Sequence, residues 1–115
     1  MDLLFKAKFI YTEINIEKEN IIIGKIGFTK YDNLNQLIIT NFEIFEEYRN
    51  KGYGTEVILA VITTLNYYDL IVCDVDINNE AAIRFYERLG EVLKDEIVDN
   101  TYRVILYEKG KEHGI

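Results

Sequence analysis

Residues 79–90 read Asn-Glu-Ala-Ala-Ile-Arg-Phe-Tyr-Glu-Arg-Leu-Gly. Asn79 is a preferred residue just before a helix, because its side chain can accept a hydrogen bond from a free backbone N–H. Glu80 complements the positive end of the helix dipole, and Gly90 is typical of the position just after a helix end. The segment therefore predicts a helix over residues 81–89 that stops at Gly90.

A second marked segment precedes it, Arg49-Asn50-Lys51-Gly52-Tyr53-Gly54-Thr55. Glycines let the backbone turn its N–H groups inward, and a following helix start adds partial positive charge. The segment therefore predicts an anion site suited to phosphate or pyrophosphate, and a plain turn with a helix cap fits the same residues. It is not a Walker loop, because no Gly-Lys-Ser/Thr follows, and two glycines are too few for a dinucleotide fingerprint.

The remaining chain is predicted to form strands and one more helix. Alternating apolar residues and short polar turns in the first part predict an antiparallel meander of three strands. The segment after Gly54 is rich in strand-favouring Val, Ile and Thr, but its apolar spacing and length favour a helix. The predicted order is βββ-α-β-α-ββ, an α/β class with a mixed sheet, the strands covering about 3–16, 21–31, 37–44, 70–77, 91–98 and 101–108 and the first helix about 55–65.

Composition limits the possible functions. The 115 residues are 49% hydrophobic and 29% charged, which predicts one globular domain over residues 1–115. A single Cys and a single His exclude a Cys/His zinc site, and no metal is expected. The net charge of −7 argues against a nucleic-acid partner and suits a cationic one, and a charge that serves only solubility is the alternative. With no long apolar run and no signal peptide, we expect a cytoplasmic protein without membrane contact.

The two marked segments together resemble the GNAT superfamily of N-acetyltransferases. That family's pattern N-x-x-A-x-x-F-Y-x-x-x-G is met at Asn79, Ala82, Phe85, Tyr86 and Gly90, and its pyrophosphate-loop pattern R/Q-x-x-G-x-G is met at Arg49, Gly52 and Gly54. The resemblance covers about residues 21–109. Two departures stand out: Glu91 replaces a usual Phe, and too few residues precede residue 21 for the family's first strand and two helices.

The resemblance implies acetyl-CoA as cosubstrate, bound in a V-shaped gap between the two central parallel strands. The backbone of Phe42, Glu43 and Ile44 would pair with the pantetheine. The segment of Arg49, Asn50, Lys51, Gly52, Tyr53, Gly54 and Thr55 would hold the pyrophosphate. Asn79 would contact the pantetheine or the ribose.

The resemblance also implies the catalytic residues. Tyr86 would protonate the leaving thiolate or stabilise it by a hydrogen bond, as a phenol of comparable basicity can. The family's usual base positions on the strand before the loop are Thr40 and Ile38 here, and neither is a base, although Thr40 could hold a water. Other family members carry an acid on the following strand, five residues before the motif Asn, and the resemblance places Asp74 at that position. Asp74 shares a strand face with Asp76, and two solvated acids are the plain alternative. Glu43 is a weaker candidate because its strand parity is opposite.

The function expected from the sequence is acetyl transfer to a primary amine by direct attack on the thioester. The acceptor would be a small polyamine-like or amino-sugar-like molecule, or a protein Lys or N-terminus. A degenerate domain that only binds coenzyme A or a protein partner is the main alternative, and an unrelated phosphate-binding module is a third. Because the N-terminal part is short, the acceptor pocket would be open or completed by another subunit. We therefore also expect a homodimer that covers part of the exposed sheet or the acceptor side. Cys73 is expected to be a buried thiol without a chemical role.

Overall fold

The computed structural model describes residues 9–31 and 34–111. The elements follow the predicted order: β1 Phe9–Lys18, β2 Ile21–Tyr31, β3 Gln36–Ile44, α1 Tyr53–Thr64, β4 Leu70–Asp76, α2 Glu80–Glu87, β5 Glu91–Val98 and β6 Thr101–Glu108. A short 3-10 helix, Glu46–Tyr48, which the sequence patterns did not indicate, joins β3 to the glycine segment. The predicted class, a mixed sheet with two helices, is confirmed.

Several element boundaries differ from the prediction by one or two residues, and α2 ends at Glu87 rather than at residue 89. Helix α1 begins at Tyr53, two residues early, because Gly52 precedes it with a φ of 83°. That left-handed conformation is nearly free for glycine and strained for other residues, so Gly52 sets the helix start. Strand β1 continues to Lys18, and the part predicted over residues 3–8 lies outside the described residues.

The six strands form one sheet in the order β1-β2-β3-β4-β6-β5. Only β3 and β4 run parallel, and α1 connects them as the predicted crossover. In the last hairpin, β6 pairs with β4, and β5 forms the edge of the sheet. No helix in the described part of the chain is long and apolar enough to cross a membrane.

Both helices contribute to one core on one face of the sheet, which we call the helix face. Ile58 and Val61 of α1 and Ile83 and Tyr86 of α2 pack in the same buried cluster as side chains from the central strands, among them Leu37, Ile39, Ile71, Cys73, Val104 and Leu106. This tertiary burial explains why a segment rich in Val, Ile and Thr is helical despite its strand preference.

Gly90 has a different role from the one its position suggests. Its φ is not in the left-handed region that a glycine helix stop usually adopts. A Cβ on residue 90 would instead collide with the backbone carbonyl of Ile105 on β6. The glycine is therefore required because α2 ends against the sheet, and the prediction of a conformational stop was wrong.

The parallel strands separate and leave the V-shaped gap that the resemblance implies. Their pairing ends at Ile39 and Cys73, although β3 continues to Ile44 and β4 to Asp76. Beyond this point β3 is paired only with β2, so its other edge is free. The gap therefore follows from the geometry of the sheet.

A bulge at Asn41 changes which side chains of β3 face the same way. Thr40 pairs with Gly27 and Glu43 with Lys25, so β3 has one extra residue, and Asn41 has a φ of 50°. Because Lys25 and Gly27 share a face, Thr40 and Glu43 share one too. The parity argument against Glu43 was therefore wrong, since it assumed a regular strand.

Candidate active site

A groove of about 600 Å³ lies between the end of β3, the start of α1 and one side of α2. It brings together most of the residues predicted to bind the cosubstrate. Its lining includes Phe42, Glu43, Ile44, Arg49, Asn50, Gly52, Tyr53, Gly54 and Thr55 from the first two elements, with Ala82, Arg84, Phe85, Tyr86 and Arg88 from α2. Lys51 is exposed and lies outside this lining.

The floor of the groove at α1 is a set of backbone donors. Glu56 N–H already bonds to the Gly52 carbonyl at 3.1 Å. The N–H groups of Tyr53, Gly54 and Thr55 precede the first helical hydrogen bonds and have no partner within the helix. These groups, at the positive end of the helix dipole, can bind an anion.

Gly54 also permits close packing. A Cβ on residue 54 would lie 3.4 Å from two ring carbons of Phe85 and 3.9 Å from Phe42. A branched side chain there would extend into the groove and against the Phe85 ring. The absence of a side chain therefore keeps both the backbone donors and the groove accessible.

Arg49 connects the loop to the end of β3. Its Nε donates to the Ile44 carbonyl at 2.7 Å, and its Nη2 lies 3.7 Å from Glu43 Oε2. The side chain is about half exposed, so its contribution is mainly to hold the loop in place.

Two basic residues of the groove were missed in the sequence analysis. Arg84 lies on α2, Arg88 directly follows its last residue, and both line the groove. Together with Arg49 they make a cationic surface on a protein of net charge −7. Their helical spacing with Ala81 and Phe85 could have indicated them, because it places all four side chains on one side of a helix.

The free edge of β3 presents backbone groups to the gap. Phe45 N–H bonds to the Ile23 carbonyl on β2 at 2.8 Å. Because successive residues alternate along a strand, the backbone groups of Ile44 and Phe42 point the other way, into the gap, and those of Glu43 point to β2. The Ile44 carbonyl accepts from Arg49, so Phe42 and the Ile44 N–H are the groups left for a ligand.

A second cavity of about 320 Å³ occupies the gap itself. It is lined by Ile38, Thr40, Asn41, Cys73, Asp74, Asp76 and Asn79, and it shares Phe42, Ala82 and Tyr86 with the groove. Tyr86 therefore lies where the two cavities meet. A ligand that runs along the groove reaches Tyr86 before it enters the gap.

Tyr86 is held as a neutral phenol. Burial raises its pKa, and the neighbouring Cys73 thiol raises it further. Burial likewise raises the pKa of Cys73 to about 12. Cys73 is 2% exposed, so it is the buried thiol that the sequence predicts. The Tyr86 hydroxyl is thus a hydrogen-bond donor at any physiological pH.

Asn79 is the cap residue just before α2, and this role occupies part of its side chain. Its side-chain oxygen accepts from Ala82 N–H at 3.1 Å, as a helix cap does. The amide nitrogen is the group left for a ligand, and the residue lines the gap. The predicted contact with the pantetheine or the ribose stays a prediction.

Asp74 and Asp76 both line the gap, on the face opposite the helices, but each has a partner. Arg103 Nε on β6 donates to Asp74 Oδ1 at 2.7 Å. Asp76 Oδ1 accepts from Asn78 N–H at 2.7 Å. Arg103 was not considered in the sequence analysis, because only the sheet order places β6 beside β4. No group of three or more His, Cys, Asp or Glu within the described ranges could hold a metal ion.

The profile of the Acetyltransferase (GNAT) family matches residues 3–90, and the chain belongs to that family. An uncharacterized N-acetyltransferase of Bacillus subtilis (strain 168), the SPbeta prophage-derived YokL, is 30% identical over 103 residues. That alignment covers 84% of this chain and 54% of YokL, so the chain spans about half the length of this relative.

Solved structures share the fold. The PaiA N-acetyltransferase of Thermoplasma acidophilum, solved with coenzyme A, superposes with a TM-score of 0.70 at 14% identity, covering 83% of this chain and 59% of that one. A GNAT-family acetyltransferase of Staphylococcus aureus MU50 gives a TM-score of 0.61 at 24% identity, covering 80% and 65%. At these identities the likeness shows the fold alone.

Proposed function

We propose that this protein transfers an acetyl group from acetyl-CoA to a primary amine. The observation that carries the proposal is the position of Tyr86 at the junction of an anion-binding groove and a cavity lined by acids. A long ligand with phosphates at one end and a thioester at the other suits the groove. An amine suits the acidic cavity. The coenzyme A bound in the Thermoplasma acidophilum enzyme of the same fold supports this choice of ligand.

In the proposed complex, the phosphates of the cosubstrate bind the backbone N–H groups at the start of α1. Arg84 and Arg88 supply positive charge beside them. The pantetheine pairs with Phe42 along the free edge of β3. This arrangement brings the thioester sulfur to Tyr86.

The reaction is then attack of a neutral amine on the thioester carbonyl carbon, with cleavage of the C–S bond and departure of the thiolate. Because the pKa of Tyr86 is raised above that of an ordinary phenol, full proton transfer to a thiolate is unfavourable. Tyr86 therefore stabilises the departing sulfur by donating a hydrogen bond. We propose this hydrogen bond in place of the proton transfer that was expected from similar pKa values of the phenol and the thiol.

The contact with Arg103 changes the role we propose for Asp74. Arg103 Nε donates to Asp74 Oδ1 at 2.7 Å, so one oxygen of this carboxylate already has a partner. Asp74 then attracts and orients the cationic acceptor together with Asp76, and proton removal falls to other groups.

A domain that binds coenzyme A without catalysis is the second candidate, favoured by Thr40 and Ile38 at positions where relatives carry a base. The two candidates share the groove and differ only in turnover. Binding of the cosubstrate therefore tests what both require, and thiol release separates them.

The binding test is a calorimetric titration with acetyl-CoA. We expect a Kd on the order of micromolar, at the tight end of ordinary enzyme–substrate affinities. Gly54→Val should abolish the heat of binding, because the added side chain meets Phe85 and enters the groove. Ala60→Val, which places the same valine side chain on an exposed position of α1, is the control. Unchanged affinity in a folded Gly54→Val protein would overturn the groove assignment.

A further inference from the structure

The first turn of α1 carries an acid next to the residues that would bind an anion. Glu56 is the acidic residue of that turn, and it directly follows Tyr53, Gly54 and Thr55, which line the groove. A carboxylate near a helix N-terminus stabilises the helix, because it complements the positive end of the dipole. The same carboxylate weakens the binding of a phosphate at that end, unless another group compensates its charge.

Lys18, the last residue of β1, supplies the compensating charge. Its Nζ donates to Glu56 Oε1 at 2.9 Å. The same nitrogen lies 5.3 Å from the centre of the Tyr53 ring, within the range of a cation–π interaction. The hydrogen bond with Glu56 raises the pKa of Lys18, so this side chain stays charged at physiological pH. One side chain of the sheet therefore contacts both the acid of the first turn and an aromatic residue of the groove.

A tight turn fixes the position of Lys18. Glu19 and Asn20, between β1 and β2, have φ values of 51° and 68°. Two left-handed residues in succession are typical of a two-residue hairpin turn, and Lys18 pairs with Ile21 across it. Lys18 and Glu56 are 38 residues apart in sequence, so the fold brings them together. Among the ion pairs of the described residues, this is the one that joins a strand to α1.

We infer that Lys18 is a positioning residue for the cosubstrate, because it holds and neutralises Glu56 and so leaves the start of α1 available to the phosphates. This inference rests on the proposed function, since it takes acetyl-CoA as the ligand of the groove. Lys18 is not among the residues that line the groove, so it acts through Glu56 and Tyr53. The side chains of Lys18 and Glu56 are 39% and 61% exposed, and such a pair contributes little to folding. The effect of Lys18 is therefore on affinity for an anion.

The test is a calorimetric titration of the full chain with acetyl-CoA, repeated at several salt concentrations. Lys18→Met removes the charge and keeps an apolar stem. At low salt it should raise the Kd roughly 2- to 5-fold, the scale of one charge near a helix N-terminus. Adding Glu56→Gln to this variant should restore the wild-type Kd, because the uncompensated acid is then absent. The ratio of the Lys18→Met Kd to the wild-type Kd should approach one as salt is added, since exposed charges are screened.

Lys109→Met is the matched control, because it breaks another exposed ion pair, with Asp69, beyond the other end of α1. If Lys18→Met and Lys109→Met both bind acetyl-CoA as the wild type does, the inference is overturned and the proposed function stands. A defect that Glu56→Gln does not relieve, or that is the same at every salt concentration, would also overturn it, since it would indicate altered packing. If the wild type does not bind acetyl-CoA, the proposed function fails and the inference falls with it.

Discussion

The chemistry proposed for this protein depends most on one hydroxyl. Tyr86 is one of nine tyrosines, and what distinguishes it is burial beside Cys73 at the meeting point of the two cavities. The motif position identified it from the sequence. The raised pKa could not be foreseen, because it results from packing between α2 and β4.

At the residue scale, Tyr86→Phe should lower kcat by roughly 10²-fold, as loss of a donor to a developing anion does. Acetyl-CoA affinity should change little, because the hydroxyl acts mainly on the departing thiolate. Steady-state kinetics and calorimetry on the same preparation measure the two effects. Tyr67→Phe, at an exposed tyrosine, is the control. Equal losses in turnover and affinity would instead indicate that Tyr86 only packs.

At the scale of elements, the contact between α2 and β4 couples stability to pH. Burial disfavours the Cys73 thiolate, whose pKa rises from 9.0 to about 12 in the folded protein. The unfolded chain therefore loses this proton first as pH increases. The sign of the linkage is that stability falls with rising pH between these two values.

We expect urea denaturation at several pH values above 9 to show this fall. A single thiol contributes a slope of up to about 1.4 kcal/mol per pH unit. Cys73→Ala should be less stable at neutral pH because of the lost packing, and it should lose stability less steeply as pH rises. The lysines and the tyrosines other than Tyr86 titrate in both proteins and cancel in the comparison. Tyr86, whose pKa Cys73 raises, adds to the difference between the two slopes in the same direction. Parallel slopes for the two proteins would show that the thiol is not coupled to folding.

The sequence predicted elements well where residues close in sequence determine them. It predicted poorly the features that depend on how the strands pair. The glycine segment, α2 and the last hairpin follow from residues close in sequence. The bulge at Asn41 does not follow from local sequence, because it is defined by one extra residue of β3 in the pairing with β2. The partner of Asp74 also depends on sheet order, which no local pattern encodes.

At the scale of the molecule, charge is separated between the two sides of Tyr86. The groove carries Arg49, Arg84 and Arg88 against one acid, Glu43, and the gap carries Asp74, which is paired with Arg103, and Asp76. A net charge of −7 is therefore compatible with a locally cationic groove. The cationic partner predicted from composition fits only the gap, where we propose that the acceptor binds. A homodimer stays a prediction that light scattering can test.

The central claim is that the two cavities carry out one reaction. Its most direct test is the rate of free-thiol release from acetyl-CoA with and without a primary amine, using a polyamine, an amino sugar and a Lys-containing peptide. The account predicts that at least one amine accelerates release, with one acetylated amine formed per thiol. Tight binding of acetyl-CoA with no acceleration by any of these amines would contradict it and leave a coenzyme-binding domain without catalysis.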